Sequence, residues 1–169
     1  MIGRSWLRAF CYATLCIGCT RGWYGAPQAA VPLGVRTVCL DVPEALKPEM
    51  VKAVANWNRA LNGKLELRVA ADACDISVLD VSTSPCPETA LACTDTLGGS
   101  IIYLKRSMYE RQPANILAHE LGHILGAQHV EGTLMAPIGA PQDCPDGTTM
   151  AQVAAYNHWN LAELRWCSI

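Results

Sequence analysis

In several stretches between residues 35 and 105, hydrophobic residues alternate with polar ones, as they do in strands that bury one face. The alternation is cleanest in the stretch KLELRVA, which begins at residue 64. Residues 82–99 interrupt it and are rich in Ser, Thr, Pro and Gly, which predicts a loop. The pattern therefore predicts four strands, at residues 35–42, 64–70, 75–81 and 100–105.

Other stretches have the hydrophobic spacing of helices. Pro43 suits the first turn of a helix, and Asn62-Gly63 suits its end. Two further helices are predicted, one over residues 113–126 and one running to about residue 166, with Thr148 and Thr149 as caps. The apolar residues of the first helix should share one buried face: Met50, Val51, Val54, Trp57 and Leu61.

This order of elements, a strand, a helix, three strands and two helices, predicts an α+β fold over residues 35–169. The chain of 169 residues is long enough for one domain, and with 51% hydrophobic residues it has ample material for a core. The formal net charge is −2 and no basic patch occurs, which argues against nucleic acid as a partner. We expect a monomer.

The N-terminal 19 residues have the features of an export signal. Arg4 and Arg8 precede a short apolar run at residues 9–18, too short for a permanent membrane span. The run ends at Cys19, in a sequence that resembles a bacterial lipobox, so a lipidated Cys19 would attach the chain to a membrane. The alternatives are ordinary cleavage, which would leave a secreted protein, and a buried N-terminal helix. Residues 20–34, rich in Gly, Ala and Pro, would form a linker.

Six of the nine cysteines lie beyond the predicted signal, and an even number in an exported chain indicates disulfides. Six cysteines allow about fifteen pairings, among which the sequence does not choose. A cysteine zinc site is disfavoured because no CxxC pair occurs after the signal. Our guess at the pairing is Cys39 with Cys74, Cys86 with Cys93, and Cys144 with Cys167.

The stretch HELGHILGAQH, residues 119–129, holds three of the four histidines. His119 and His123 are four residues apart, so on a helix they lie on one face and can bind one metal ion. Glu120 occupies the position at which a glutamate acts as the general base in sites where two histidines of one helix bind zinc. Gly126 would end the helix and let the chain bring His129 back as a third ligand. If His119 and His123 are considered alone, the simpler alternative is that they are two helix histidines that bind no metal.

The extended pattern HExxHxxGxxH, followed by Met135 in the stretch GTLMAP, resembles the metzincin zinc endopeptidases. Pro137 lies two residues after the methionine, and in this feature the turn resembles that of the matrixin branch. The resemblance implies a metzincin-like zincin fold, with a twisted mixed sheet of about four to five strands, a backing helix, an active-site helix and a C-terminal helix. It also implies one catalytic Zn²⁺, bound by His119, His123 and His129, with Met135 and Gly126 as structural supports.

As further implied by the resemblance, the protein would hydrolyse peptide bonds of proteins through a zinc-activated water, with Glu120 as the general base. The substrate would lie extended along the edge strand of the sheet, around residues 97–100. Gly98 and Gly99 would let its backbone come close, although a simple turn explains these glycines equally well. Ala136 and Pro137 would form a wall of the substrate pocket.

Two other interpretations stay open at this point. The first is a catalytically inactive binding module with the same fold at the cell surface. Such a module would have little reason to keep the general base Glu120. An exported adhesion domain with a coincidental motif is the other. Asp143 and Asp146 flank Cys144-Pro145 and could hold Ca²⁺, but a solvated loop is the more ordinary explanation.

Overall fold

A computed structural model describes residues 33–81, 85–105, 113–137 and 142–167. The expected signal with Cys19 and almost all of the linker lie outside these residues. The described part forms five strands and three α-helices: β1 (Gly34–Asp41), α1 (Lys47–Leu61), β2 (Leu65–Ala70), β3 (Ile76–Val81), β4 (Ala92–Thr94), β5 (Ile101–Lys105), α2 (Pro113–Ile124) and α3 (Gly147–Asn157). Short 3-10 turns occupy Glu44–Leu46 and Leu161–Glu163.

The strands form one mixed sheet in the order β2-β1-β3-β5-β4. β2, β1, β3 and β5 run parallel, whereas β4 runs antiparallel to β5 at one edge. Val38 of the interior strand β1 pairs with Val69 on one side and with Ile76 on the other. The α+β class and the five-stranded mixed sheet are therefore confirmed.

The predicted boundaries agree with the structure to within about two residues except in three places. β4 lies within residues 82–99, where a loop was predicted, because three residues are too few to show an alternation. α1 begins at Lys47, after the 3-10 turn, instead of at Pro43. The prediction that the last helix reaches about residue 166 is wrong: α3 ends at Asn157, where His158 takes a left-handed conformation with φ of 57°.

One face of the sheet and the two helices α1 and α2 enclose the core. The buried strand residues alternate as expected, for example Ile76 and Val78 in β3. Trp57 of α1 is fully buried, and its indole N–H donates to the Ala118 carbonyl of α2 at 2.8 Å. This bond fixes α2, the helix with the first two histidines, against the interior.

The two edges of the sheet are protected differently. At β2, the Asn58 side chain of α1 bonds both the backbone N–H and the carbonyl of Leu67, each at 2.7 Å, so this edge is partly occupied. At the other edge, β4 pairs with β5 alone within the sheet, and its three residues are buried or half-buried.

All three guessed disulfides are present: Cys39–Cys74, Cys86–Cys93 and Cys144–Cys167. Disulfides persist in oxidising compartments, so they indicate a non-cytoplasmic protein. In the described ranges, no helix has both the length and the apolar character needed to cross a membrane.

Candidate metal centre

Three histidines converge beside α2, and we call His119, His123 and His129 together the histidine centre. His119 and His123 lie one helical turn apart on α2 and are 8% and 3% exposed. After α2 the chain turns at Gly126, whose φ of +96° suits glycine and few other residues. The turn returns His129 to the first two rings, with ring centroids 5.2 Å from His119 and 4.7 Å from His123.

The ring nitrogens of the histidine centre are spaced as ligands of one ion. The Nε2 atom of His129 lies 3.2 Å from that of His119 and 3.1 Å from that of His123. Nitrogens at about 2.0–2.1 Å from a tetrahedral metal are separated by about 3.3–3.4 Å, close to these values. The three nitrogens therefore surround a point at which a metal ion fits.

The opposite ring nitrogens of the two helix histidines bond backbone carbonyls. His119 Nδ1 lies 2.9 Å from the Leu134 carbonyl, and His123 Nδ1 lies 2.8 Å from the Ala127 carbonyl. A carbonyl only accepts, so each Nδ1 carries the proton and donates. Each Nε2 then presents its lone pair to the centre, which is the tautomer that a metal requires.

The electrostatic surroundings favour neutral imidazoles. Burial, together with the neighbouring His129, lowers the pKa of His119 to about 4 despite its bond to Leu134. Burial also lowers the pKa of His123 well below its ordinary value, and that of His129 in the same direction. The three rings are therefore uncharged at neutral pH and ready to bind a cation.

Among the described residues, the histidine centre is the one group of three or more His, Cys, Asp or Glu side chains placed to hold a metal ion. No family model matches this chain, and neither does any curated protein. Its candidate chemistry thus rests on the geometry of the histidine centre and on the residues around it.

Glu120 adds a buried carboxyl group to this region. It is 6% exposed, and its Oε2 has no hydrogen-bond partner among the described residues. Burial raises the pKa of Glu120 to about 8. A buried carboxyl oxygen without a partner is costly unless a cation or a reacting group compensates it, so Glu120 suits a site that binds a cation and handles a proton.

Met135 packs directly behind α2 and is fully buried. A Cβ on Gly122 would lie 2.3 Å from the Met135 sulfur and 3.5 Å from the Trp57 ring, so only glycine allows this contact. Gly122, the residue between Leu121 and His123, was not singled out in the sequence. The sequence does contain a signal for this packing role, because a glycine inside a helix lowers its stability and usually has a packing reason.

The turn that contains Met135 is held by Asp146, and the sequence did not reveal this role. Asp146 accepts from the Leu134 N–H at 2.8 Å and from the Thr149 N–H at 2.9 Å. It therefore caps α3, so the prediction of Thr148 and Thr149 as the caps was wrong. Because the Leu134 carbonyl also bonds His119, Asp146 supports the histidine centre indirectly, through Leu134.

The two aspartates considered for Ca²⁺ have partners within the protein. The Asp146 carboxylate also accepts from the Thr149 hydroxyl at 2.9 Å and from the Gln142 amide at 3.1 Å. Asp143 forms an ion pair with Lys52 at 2.6 Å. His158, the fourth histidine, is exposed at the end of α3.

The residues expected to contact substrate lie in two places. Gly98 and Gly99 are buried in the turn between β4 and β5, where added Cβ atoms would meet Tyr156 and Asp95. These glycines are therefore required by the packing of the turn itself. The outer strand is β4 at residues 92–94, so the expectation of an edge around residues 97–100 is corrected.

Ala136 and Pro137 follow Met135 directly. Ala136 is 5% exposed, whereas Pro137 is exposed. The neighbouring residues 138–141 lie outside the described part of the chain. Pro137 is thus the member of this pair that a ligand can reach.

Proposed function

We propose that this protein is an exported zinc-dependent endopeptidase of the metzincin type, similar to the matrixin branch. The observation that carries the proposal is the convergence of three Nε2 atoms, at 3.1 and 3.2 Å, beside the helix that also carries the buried Glu120. Three protein ligands are typical of catalytic zinc sites, whereas structural sites have four.

The donor set supports zinc as the metal. Imidazole nitrogens suit Zn²⁺, Cu²⁺, Fe²⁺ and Ni²⁺, and disfavour Ca²⁺ and Mg²⁺, which prefer oxygen. The resemblance of HELGHILGAQH and Met135 to the metzincin pattern selects zinc from this group. The backbone carbonyls that bond His119 and His123 would orient these ligands and increase their basicity.

Zinc, when bound, lowers the pKa of a water molecule towards neutrality and polarises a carbonyl group. Glu120 would accept the proton of the attacking water and then deliver it to the nitrogen of the departing amine. Its pKa, raised to about 8 by burial, favours such proton uptake, and a nearby cation would keep the carboxyl ionised before the reaction. The buried position of Glu120 also keeps bulk water away from the transferred proton.

A polypeptide substrate would lie along β4, the outer strand of the sheet. An extended chain can add to an exposed edge strand through backbone hydrogen bonds, with little dependence on its side chains. The exposed Pro137 and its neighbour Ala136 would form one wall of the pocket beside the scissile bond. Outside the cell, the protein would be either free or attached through a lipid on Cys19.

The proposal predicts metal-dependent hydrolysis of unfolded protein. The full chain, exported to an oxidising compartment so that its disulfides form, should cleave reduced and alkylated casein. A zinc chelator should abolish cleavage, and added Zn²⁺ should restore it, with cleavage followed by mass spectrometry of the products. A folded, zinc-loaded chain that cleaves neither casein nor a broad peptide library would contradict the proposal and favour the inactive binding module.

A further inference from the structure

The connection between the second and third histidines, residues 125–128, lies against α3. His129 does not belong to α2, so the position of its ring depends on how this connection is held. We infer that α3 positions His129, and that Tyr156 is the principal positioning residue. The inference rests on the proposed metal site and assigns a role to residues outside the HExxHxxGxxH pattern.

Tyr156 occupies a slot formed by two glycines. A Cβ on Gly126 would lie 2.1 Å from Cγ of the Tyr156 ring, and a Cβ on Gly98 would lie 2.4 Å from the Tyr156 hydroxyl. Both glycines have positive φ, +96° and +72°. The Gly98 N–H also donates to the His123 carbonyl at 2.9 Å. The ring therefore spans from the turn after α2 to the turn before β5.

Two amide side chains of α3 fasten the connection on either side of Gly126. Asn157 donates to the Leu125 carbonyl at 2.9 Å, in a buried position. Gln152 accepts from the Gln128 N–H at 2.6 Å, immediately before His129. The connection is thus bonded at one end, covered by an aromatic ring at its glycine, and bonded again at the other end.

Removal of the ring should release the glycine turn without touching a ligand. With Tyr156→Ala, the space beside Gly126 opens, so the connection gains conformations in which the His129 nitrogen lies away from the other two. Tyr156→Phe keeps the ring in its slot and loses only the hydroxyl. A metal ligand held less firmly by its surroundings binds its ion about 10- to 100-fold more weakly.

The test uses the full chain with Co²⁺, because its visible absorption reports the geometry of the ligands. Affinity is measured by competition with a chelator, and the stability of the metal-free protein by urea unfolding. We expect Tyr156→Ala to weaken Co²⁺ binding about 10- to 100-fold and to change the absorption bands, with Tyr156→Phe close to wild type. Gln152→Leu, on the partly exposed surface of α3, should weaken binding in the same direction. Thr148→Val, on the exposed first turn of α3, is the matched control and should change nothing.

Several results would overturn the inference. Unchanged Co²⁺ affinity and spectrum in Tyr156→Ala, even with lower stability, would show that the ring is only a packing residue. If Tyr156→Ala does not fold, wild-type binding by Gln152→Leu would decide against it. If wild type binds no Co²⁺ while folded, the proposed metal site itself fails, which is a different result from a metal site insensitive to α3.

Discussion

Glu120→Gln should lose peptide hydrolysis while keeping its metal. Glutamine has nearly the same size as glutamate, so the helix and the three histidines are preserved, but the amide cannot accept the proton of the attacking water. General acid–base catalysis contributes about 10²- to 10⁴-fold to a rate, and we expect kcat to fall by that factor. The measurement is kcat and KM on a fluorogenic peptide cleaved by wild type, together with zinc content.

Glu131→Gln is the matched control for this variant. Glu131 follows His129 by two residues, and its side chain is exposed. The negative charge of Glu131 raises the pKa of His129, against the larger lowering by burial. The same substitution there should leave kcat within about twofold, since solvent screens the charge of an exposed carboxylate. Equal losses in both variants, or an active Glu120→Gln, would refute the role of Glu120 as the base.

Asp146→Asn should be the most destabilising conservative change near the histidine centre. Asparagine can still cap α3, but its NH₂ group would face the N–H of Leu134 and the amide of Gln142, two donors that then lose their acceptor. A buried hydrogen bond to a charged group is worth about 1.5–3 kcal/mol, so the free energy of unfolding should fall by about 2–3 kcal/mol. Urea unfolding of metal-free protein at pH 7 measures this difference.

The matched control is Asp143→Asn, three residues earlier in the chain. Asp143 pairs with Lys52, whose side chain is 58% exposed, and exposed ion pairs contribute about 0–1 kcal/mol. Metal binding should separate the variants too, because Asp146 bonds Leu134, whose carbonyl orients His119. Equal stabilities of the two variants would show that Asp146 does not support the turn.

Acidification should reduce the difference between wild type and Asp146→Asn. Burial alone raises the pKa of Asp146, but bonds from the Leu134 N–H and from Thr149 outweigh it, so the pKa lies below its ordinary value. The pKa of Asp146 is therefore lower in the folded protein than in the unfolded chain. The stabilisation by the Asp146 carboxylate is complete above the ordinary carboxyl pKa of about 4 and is lost as the pH falls through the pKa of the folded protein. The difference should therefore be constant from about pH 5 to 8 and shrink at lower pH.

Much of the fold could be predicted because its signals are local. The alternation in β2 and β3 follows from burial of one face, and the α2 pattern follows from histidines at helical spacing. β4 escaped prediction because its three residues acquire strand geometry only by pairing with β5. The end of α3 was missed because His158, and no glycine or proline, adopts the left-handed conformation that ends it.

The ligands of the histidine centre could be predicted, but their supports could not. His119, His123 and His129 lie within eleven residues, so local geometry nearly suffices to bring them together. The support of Asp146 for Leu134, and the packing of Tyr156 on Gly126, depend on where α3 lies after the chain has folded. Such contacts between distant residues leave no periodic signal in a single sequence.

The central claim, that the histidine centre binds one catalytic zinc ion, is tested most directly by the metal content of the folded chain. The measurement is the zinc-to-protein ratio of the exported, disulfide-bonded protein after dialysis, beside His129→Phe. We expect one zinc per chain in wild type and a large loss in the variant, whose helix histidines remain. Folded wild-type protein that retains no zinc, or the same zinc content in both proteins, would contradict the account.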